Sequence, residues 1–409
     1  MALCILLSAP ERVLARQDDG SPWRFSVIAL WEGNDNRDST RSNRENAGKF
    51  AIGSRVEYTP VADHYRFNLS YNPMFMWYTN PAKTDGWREQ RAWNLDHIAW
   101  FSLEADVTSR LRMKVGDRFY YSQSPDTYID TGTPGARNWW RTSGDFYDNR
   151  VFAELNYRIS PMFFTTAEIY HRMLRYTDSA ITAISGQEEY GGSVTLFKRQ
   201  TANLNIGIWG AYRNYTKKDG GLITGTYSKN YDVETATTGF SINYDVTGSS
   251  EVRGKWGYTW VWYEADHLKD GGFPSAIDIS LKSSLDTRMD AVIGYAREVR
   301  AAEVGTFVTS QDNRAYGMLS FRHSERWIST YRADLKYASY EDRRSNSLST
   351  RSGHIANLFV RLGVNYRATE DLLLSAYYML TWQKSQLDEQ QFQPSYRRNT
   401  LGVRAEYTF

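Results

Sequence analysis

The chain ends "TLGVRAEYTF", Thr400 to Phe409, and the spacing of apolar residues in that stretch decides the fold. Leu401, Val403, Ala405, Tyr407 and Phe409 share one parity, and Thr400, Gly402, Arg404, Glu406 and Thr408 share the other. Strict alternation marks a strand with one apolar and one polar face. A strand at a chain end frays unless it is tied down. A closed barrel ties it down on both sides, because the last strand pairs with the first.

Working outward, the same alternation recurs. Trp23, Phe25, Val27, Ala29 and Trp31 fall on one face of "WRFSVIALW". Ala315, Gly317, Leu319 and Phe321 do so in "AYGMLSF", and Leu358, Val360, Leu362, Val364 and Tyr366 in "NLFVRLGVNY". Leu372, Leu374, Ala376, Tyr378, Leu380 and Trp382 continue the pattern. Short turns rich in Gly, Pro, Asp and Ser, such as 107–110, 159–162, 285–288 and 367–371, alternate with long polar stretches near 32–48, 79–93, 121–148, 175–187, 214–231, 264–274, 299–312, 340–353 and 385–395. This rhythm predicts an all-β fold: one transmembrane antiparallel up-and-down barrel of about 18 strands, with its last strand ending in Phe. Both termini fall on the short-turn side. Hairpins such as "NYRISPMFFTTAEIY" and "NYRATEDLLLSAYY" resemble one another, and we read them as convergent turn chemistry rather than a duplicated unit.

Composition agrees. Of 409 residues, 29 are Tyr, 18 Phe and 14 Trp, with 10 Pro, a single Cys and a formal net charge of +2. Mean hydropathy is negative, and no stretch approaches the roughly 20 apolar residues of a spanning helix. A barrel escapes that test, because lipid-facing and lumen-facing residues alternate and average out. Its aromatics belong in interfacial girdles. We read 1–15 of "MALCILLSAPERVLARQDDG" as a truncated secretory signal with cleavage after Ala15, leaving 16–409 as the barrel. Cys4 lies in that segment, so disulfide and thiol chemistry drop out of the mature chain.

The C-terminal aromatic Phe409, with Tyr407, Ala405 and Val403 behind it, resembles the signal read by the barrel-assembly machinery of Gram-negative outer membranes. The "NYR-I/A-S/T" hairpins, the strand count and the length resemble the β-barrel porin 2 family, whose members accompany exopolysaccharide export systems. The resemblance implies residence in the outer membrane, with its lipids, the assembly machinery and periplasmic or inner-membrane polysaccharide export components as partners. No functional motif comes with it, so no site residue is carried over.

If the apolar parity faces lipid, the other lines the lumen. It carries a basic excess, including Arg253, Lys255, Arg314, Arg332, Lys336, Arg361 and Arg404, and aromatics including Trp209, Tyr316, Phe359 and Tyr377. Such an excess concentrates anions. The expected function is a channel for an anionic solute or polymer, with exopolysaccharide as the polymer class; a general anion-preferring porin and a plugged structural or adhesion barrel are the alternatives. One irregularity stands out: "LRMKVGDR" (111–118) puts Asp117 on the lipid side, which predicts a bulge near Gly116. The six His are scattered without metal-ligand spacing, and no phosphate loop or nucleophile elbow appears. We therefore expect no metal, no cofactor, no nucleic-acid partner and no enzymatic reaction; His171 near Ser179 is the one pairing a catalytic alternative would use.

Overall fold

The computed structural model describes residues 21–35, 46–60, 62, 64–79, 92–123, 128–129, 139–140, 145–176, 187–217, 231–264, 270–301, 309–341, 352–386 and 395–409. The strands in chain order are β1 (Trp23–Asn34), β2 (Ala47–Tyr58), β3 (Tyr65–Tyr78), β4 (Trp93–Thr108), β5 (Leu111–Ser122), β6 (Tyr128–Ile129), β7 (Trp139–Trp140), β8 (Phe146–Arg158), β9 (Phe163–Tyr176), β10 (Gln187–Arg199), β11 (Leu204–Lys217), β12 (Tyr231–Thr247), β13 (Ser250–Tyr263), β14 (Gly271–Asp286), β15 (Met289–Ala301), β16 (Thr309–Arg322), β17 (Trp327–Glu341), β18 (Ser352–Arg367), β19 (Leu372–Ser385) and β20 (Tyr396–Thr408). Eighteen of them form one sheet, while β6 and β7 make a separate two-residue pairing. Each long strand pairs antiparallel with its neighbours in the chain, β5 passing to β8.

The first and last strands close the barrel, with Val27 opposite Tyr407 and Trp31 opposite Val403. Phe409 N–H donates to Phe25 O at 2.9 Å, and Thr408 N–H to Asp371 O at 2.9 Å, so the terminal strand is held on both sides to its last residue.

Alternation sorts the side chains as the period of two requires. In the middle of the outer face Val27, Ile52, Ile169, Ile208, Ile293, Leu401 and Val403 are exposed. The turn ends of the strands carry the exposed aromatics Trp23, Tyr157, Tyr244, Trp327, Tyr407 and Phe409 beside aliphatic residues such as Val107, Met162 and Leu285. The loop ends carry exposed aromatics again: Trp31, Phe50, Trp77, Trp93, Tyr190, Tyr212 and Trp262. An apolar band between two aromatic belts is the surface that a bilayer requires of a barrel.

Five of the short turns share one local device. Thr108, Ser160, Thr201, Ser324 and Thr369 each accept, through the side-chain hydroxyl, the backbone N–H groups two and three residues ahead, at 3.0–3.3 Å. This hydroxyl-capped turn satisfies donors that the ladder leaves behind. It gives two of the look-alike hairpins, at Ser160 and Thr369, a common turn geometry.

Two expectations need correction. The bulge near Gly116 is absent: β5 pairs without a register break from Arg112 to Ser122 on β4 and throughout on β8. Asp117 stays on the outer face, where Asn149 Nδ2 donates to its Oδ1 at 2.8 Å. That bond, rather than a change of register, meets the carboxylate's need for a partner. The second correction is length. Several strands run further toward the loop end than the apolar alternation signals, so Glu32, Asp148, Arg300 and Asp312, assigned to loops from sequence, stand on the sheet. Most of the long polar stretch 121–148, and the 1–15 segment with Cys4, lie outside the described residues.

Candidate functional site

Register places the predicted lumen residues together on the face opposite the exposed apolar band. Arg253 and Lys255 lie on β13, Arg314 and Tyr316 on β16, Arg332 and Lys336 on β17, Phe359 and Arg361 on β18, Tyr377 on β19, Arg404 on β20 and Trp209 on β11.

Most of these cations are held by carboxylates. Arg314 Nη2 donates to Asp334 Oδ1 at 2.5 Å and Arg332 Nε to Asp334 Oδ2 at 2.9 Å. Lys336 Nζ is 3.2 Å from Asp312, Arg404 Nη2 2.6 Å from Glu406, and Arg253 Nε 2.6 Å from Glu251. Further along the wall Arg172 pairs with Asp148 at 2.8 Å and Arg150 with Glu168 at 2.6 Å, while Lys49 pairs with Glu32. Glu32, Asp148, Glu251 and Asp312 are acids that the sequence reading did not place in the lumen. Three of the four would have been found by extending the strand parity past the last apolar residue on the outer face.

Cations nevertheless gather in rows. Arg118, Arg150 and Arg172 face one another in register across β5, β8 and β9, and Arg332 faces Arg361 across β17 and β18. Like charges directly opposite one another oppose pairing, so these rows persist by acidic partners and by rings. A repeated unit supplies the rings. Tyr377 lies over its cross-strand partner Gly402, and a Cβ there would be 2.3 Å from the Tyr377 ring. Tyr170 lies over Gly191 in the same way, at 2.4 Å. Each ring is capped by an arginine, Arg361 over Tyr377 and Arg150 over Tyr170, both 4.5 Å from the centroid. Each phenol donates to a carboxylate, Tyr377 to Glu32 and Tyr170 to Glu189 at 2.5 Å. The missing Cβ lets the ring lie flat along the wall, which leaves room in the lumen and presents the guanidinium to it.

The wall bends sharply at one corner. Gly239 on β12 and Gly257 on β13 are directly paired, and a Cβ on them would lie 2.0 Å from Trp256 O and 2.3 Å from Thr238 O respectively. Next to this pair the register of β13 with β14 shifts between Gly257 and Thr259. Beyond the corner, β14–β15 pairing stops at Ile277–Arg297, while β15–β16 pairing continues to Ala301–Thr309. The tips of β15 and β16 therefore leave β14 and lean toward β11 and β13. Arg213 Nη1 donates to Glu298 Oε2 at 3.0 Å, and the Tyr263 and Thr309 hydroxyls are 2.9 Å apart. Val299 packs with Tyr215, Val233 and Val261 in a buried cluster. Three strands separate β11 from β15, an arc of about 19 Å at the usual strand spacing, so these contacts require the detached tips of β15 and β16 to fold across toward β11 and β13.

Inside the corner is a cavity of about 530 Å³, lined from β8 round to β17 by residues including Glu154, Glu168, Trp209, Lys255, Asp278 and Tyr316. Carboxylates and cations both line it. No cluster of His, Cys, Asp and Glu with metal-holding geometry occurs among the described residues. His171 points to the outer side, 3.2 Å from Glu188 and stacked on Tyr190, and Ser179 lies outside the described residues.

These features define a transmembrane β-barrel of the outer-membrane type. Solved barrels are similar in architecture. The siderophore receptor PirA from Pseudomonas aeruginosa matches at 11% identity and a TM-score of 0.44, covering 96% of this chain and 81% of that one. The FrpB iron transporter from Neisseria meningitidis matches in its F3-3 variant at 9% identity and 0.47, covering 98% and 83%, and in an F5-1 apoprotein form at 8% and 0.49, covering 98% and 82%. Likeness at this level concerns the barrel alone. No protein-family model and no curated protein matches the chain.

Proposed function

We propose that the protein is a passive outer-membrane channel for hydrophilic solutes with a preference for anions, and that an acidic polymer such as an exopolysaccharide is the class it passes. The observation that carries this reading is the pair of in-register arginine rows, Arg118–Arg150–Arg172 and Arg332–Arg361. Arg118 has no acidic partner within ion-pair distance among the described residues. Cations facing a water-filled path raise the local concentration of anions. The polymer rests on the hairpin resemblance to the β-barrel porin 2 family. Inner-membrane or periplasmic partners would supply direction, and we assign the barrel no catalytic step.

Reversal potentials in a potassium chloride gradient across planar bilayers test the preference. We expect the chloride sign, shrinking as salt rises and screening shortens the reach of the fixed charges. A potassium sign refutes it, and a folded barrel that passes no current favours the plugged alternative.

A further inference from the structure

We infer that the corner chamber is a binding subsite for a neutral polyhydroxylated ring, the chemistry of a single uncharged sugar residue. At about 530 Å³ it falls within the 300–1,000 Å³ range of ordinary ligand sites.

Its chemistry narrows the class. Lys255 and Asp278 stand directly opposite each other on β13 and β14, yet they make no ion pair. The ammonium lies instead over the Trp209 indole, 5.4 Å from the ring centroid. Asp278 and Glu154 have no cation within ion-pair distance among the described residues. The indole N–H of Trp209 is buried and finds no acceptor in the protein. One corner therefore offers an ammonium and an N–H as donors, and two carboxylates as acceptors, none of them matched.

The other charged groups of the lining are held in ion pairs, so an anion entering this space meets the unpaired Asp278 and Glu154, and a cation meets Lys255 and Arg297. A ring bearing several hydroxyls donates to Asp278 and Glu154 while accepting from Lys255 and Trp209, because each hydroxyl does both. Bonds to charged partners are the stronger kind. Strand positions fix the groups, so little ordering is required when the ring arrives. The chamber thus differs from the arginine rows: they act on charge, and it acts on hydroxyls.

The test is calorimetric titration of the full chain folded in detergent, with maltotriose as the neutral probe, trigalacturonate as the anionic one and chitotriose freed of its acetyl groups as the cationic one. We expect saturable binding of maltotriose that exceeds both others. Lys255→Met and Asp278→Leu should each weaken it about tenfold or more, as loss of a charge-assisted hydrogen bond implies. Trp209→Phe, which keeps a ring and loses the N–H, should weaken it less. Lys282→Met, on β14 but away from the chamber, should leave it unchanged. Each variant is first shown to fold by its heat-modifiable migration, and the two single charge removals stand independently if one fails. No saturable binding of maltotriose, tighter binding of either charged probe, or unchanged binding in both charge variants overturns the inference. The titration needs no ion flow. A barrel that binds maltotriose but passes no current refutes the channel reading and not this one, and a conducting barrel that binds no neutral sugar refutes this one alone.

Discussion

At the scale of the residue, the lumen is organised by where side chains are missing. Tyr377 reaches Glu32 across β20 only because Gly402 lies between them. We expect Gly402→Ala to push the ring off the wall and to lower stability by about 1–3 kcal/mol, the usual range for overpacking. Gly317→Ala is the control, since the nearest atom to a Cβ there is 3.8 Å away. Urea midpoints of the two variants in the same detergent check this, and equal midpoints would remove the packing role. The ring–glycine pairing was not legible in the sequence. Gly402 reads there as one more small residue on a polar face, and only register sets it opposite Tyr377. The outward residues were legible, because lipid demands apolar side chains at every second position.

At the scale of the element, two strand features carry predictions. The first is the terminal strand, bonded on both sides up to the Phe409–Phe25 contact. Deleting Phe409 should reduce the amount of heat-modifiable barrel in the outer membrane by more than the loss of one lipid-facing ring explains, because this strand both closes the sheet and resembles the assembly signal. Quantitative blotting of membrane fractions checks it. The second is the leaning tip of β15 and β16. Removing the Arg213–Glu298 bond should let the tip return toward β14 and widen the path. We expect Arg213→Ala to raise single-channel conductance, and an unchanged value would show that this corner does not limit flow. The turn between strands was legible from its Ser and Thr, whose hydroxyls cap local donors. The lean of β15 was not, because it follows from β14 pairing with β13 alone beyond Ile277.

At the scale of the whole molecule, the selectivity we propose would depend on how charge is distributed round the wall rather than on any one residue. Arg332 and Arg404 are engaged by Asp334 and Glu406, so reversing them would set carboxylate against carboxylate and endanger the fold. Arg118→Glu instead places an acid opposite Arg150, which the sheet should accept. It should shift the reversal potential toward potassium, by more at low salt than at high salt. A salt-independent potential would mean that the row of Arg118 does not face the conducting path. By itself the sequence determined the class of fold, the approximate number of strands, which strands meet to close the barrel and which parity faces lipid. Those follow from a period of two and from turn chemistry, and both are local. The tertiary structure decided what lies within: the acids that match the arginines, the rings laid over glycines, the curled corner and its chamber. On the inner face of a barrel either charge or none is tolerated at a single position, so composition leaves the lining undetermined, and only the register of the closed sheet chooses each side chain's partner.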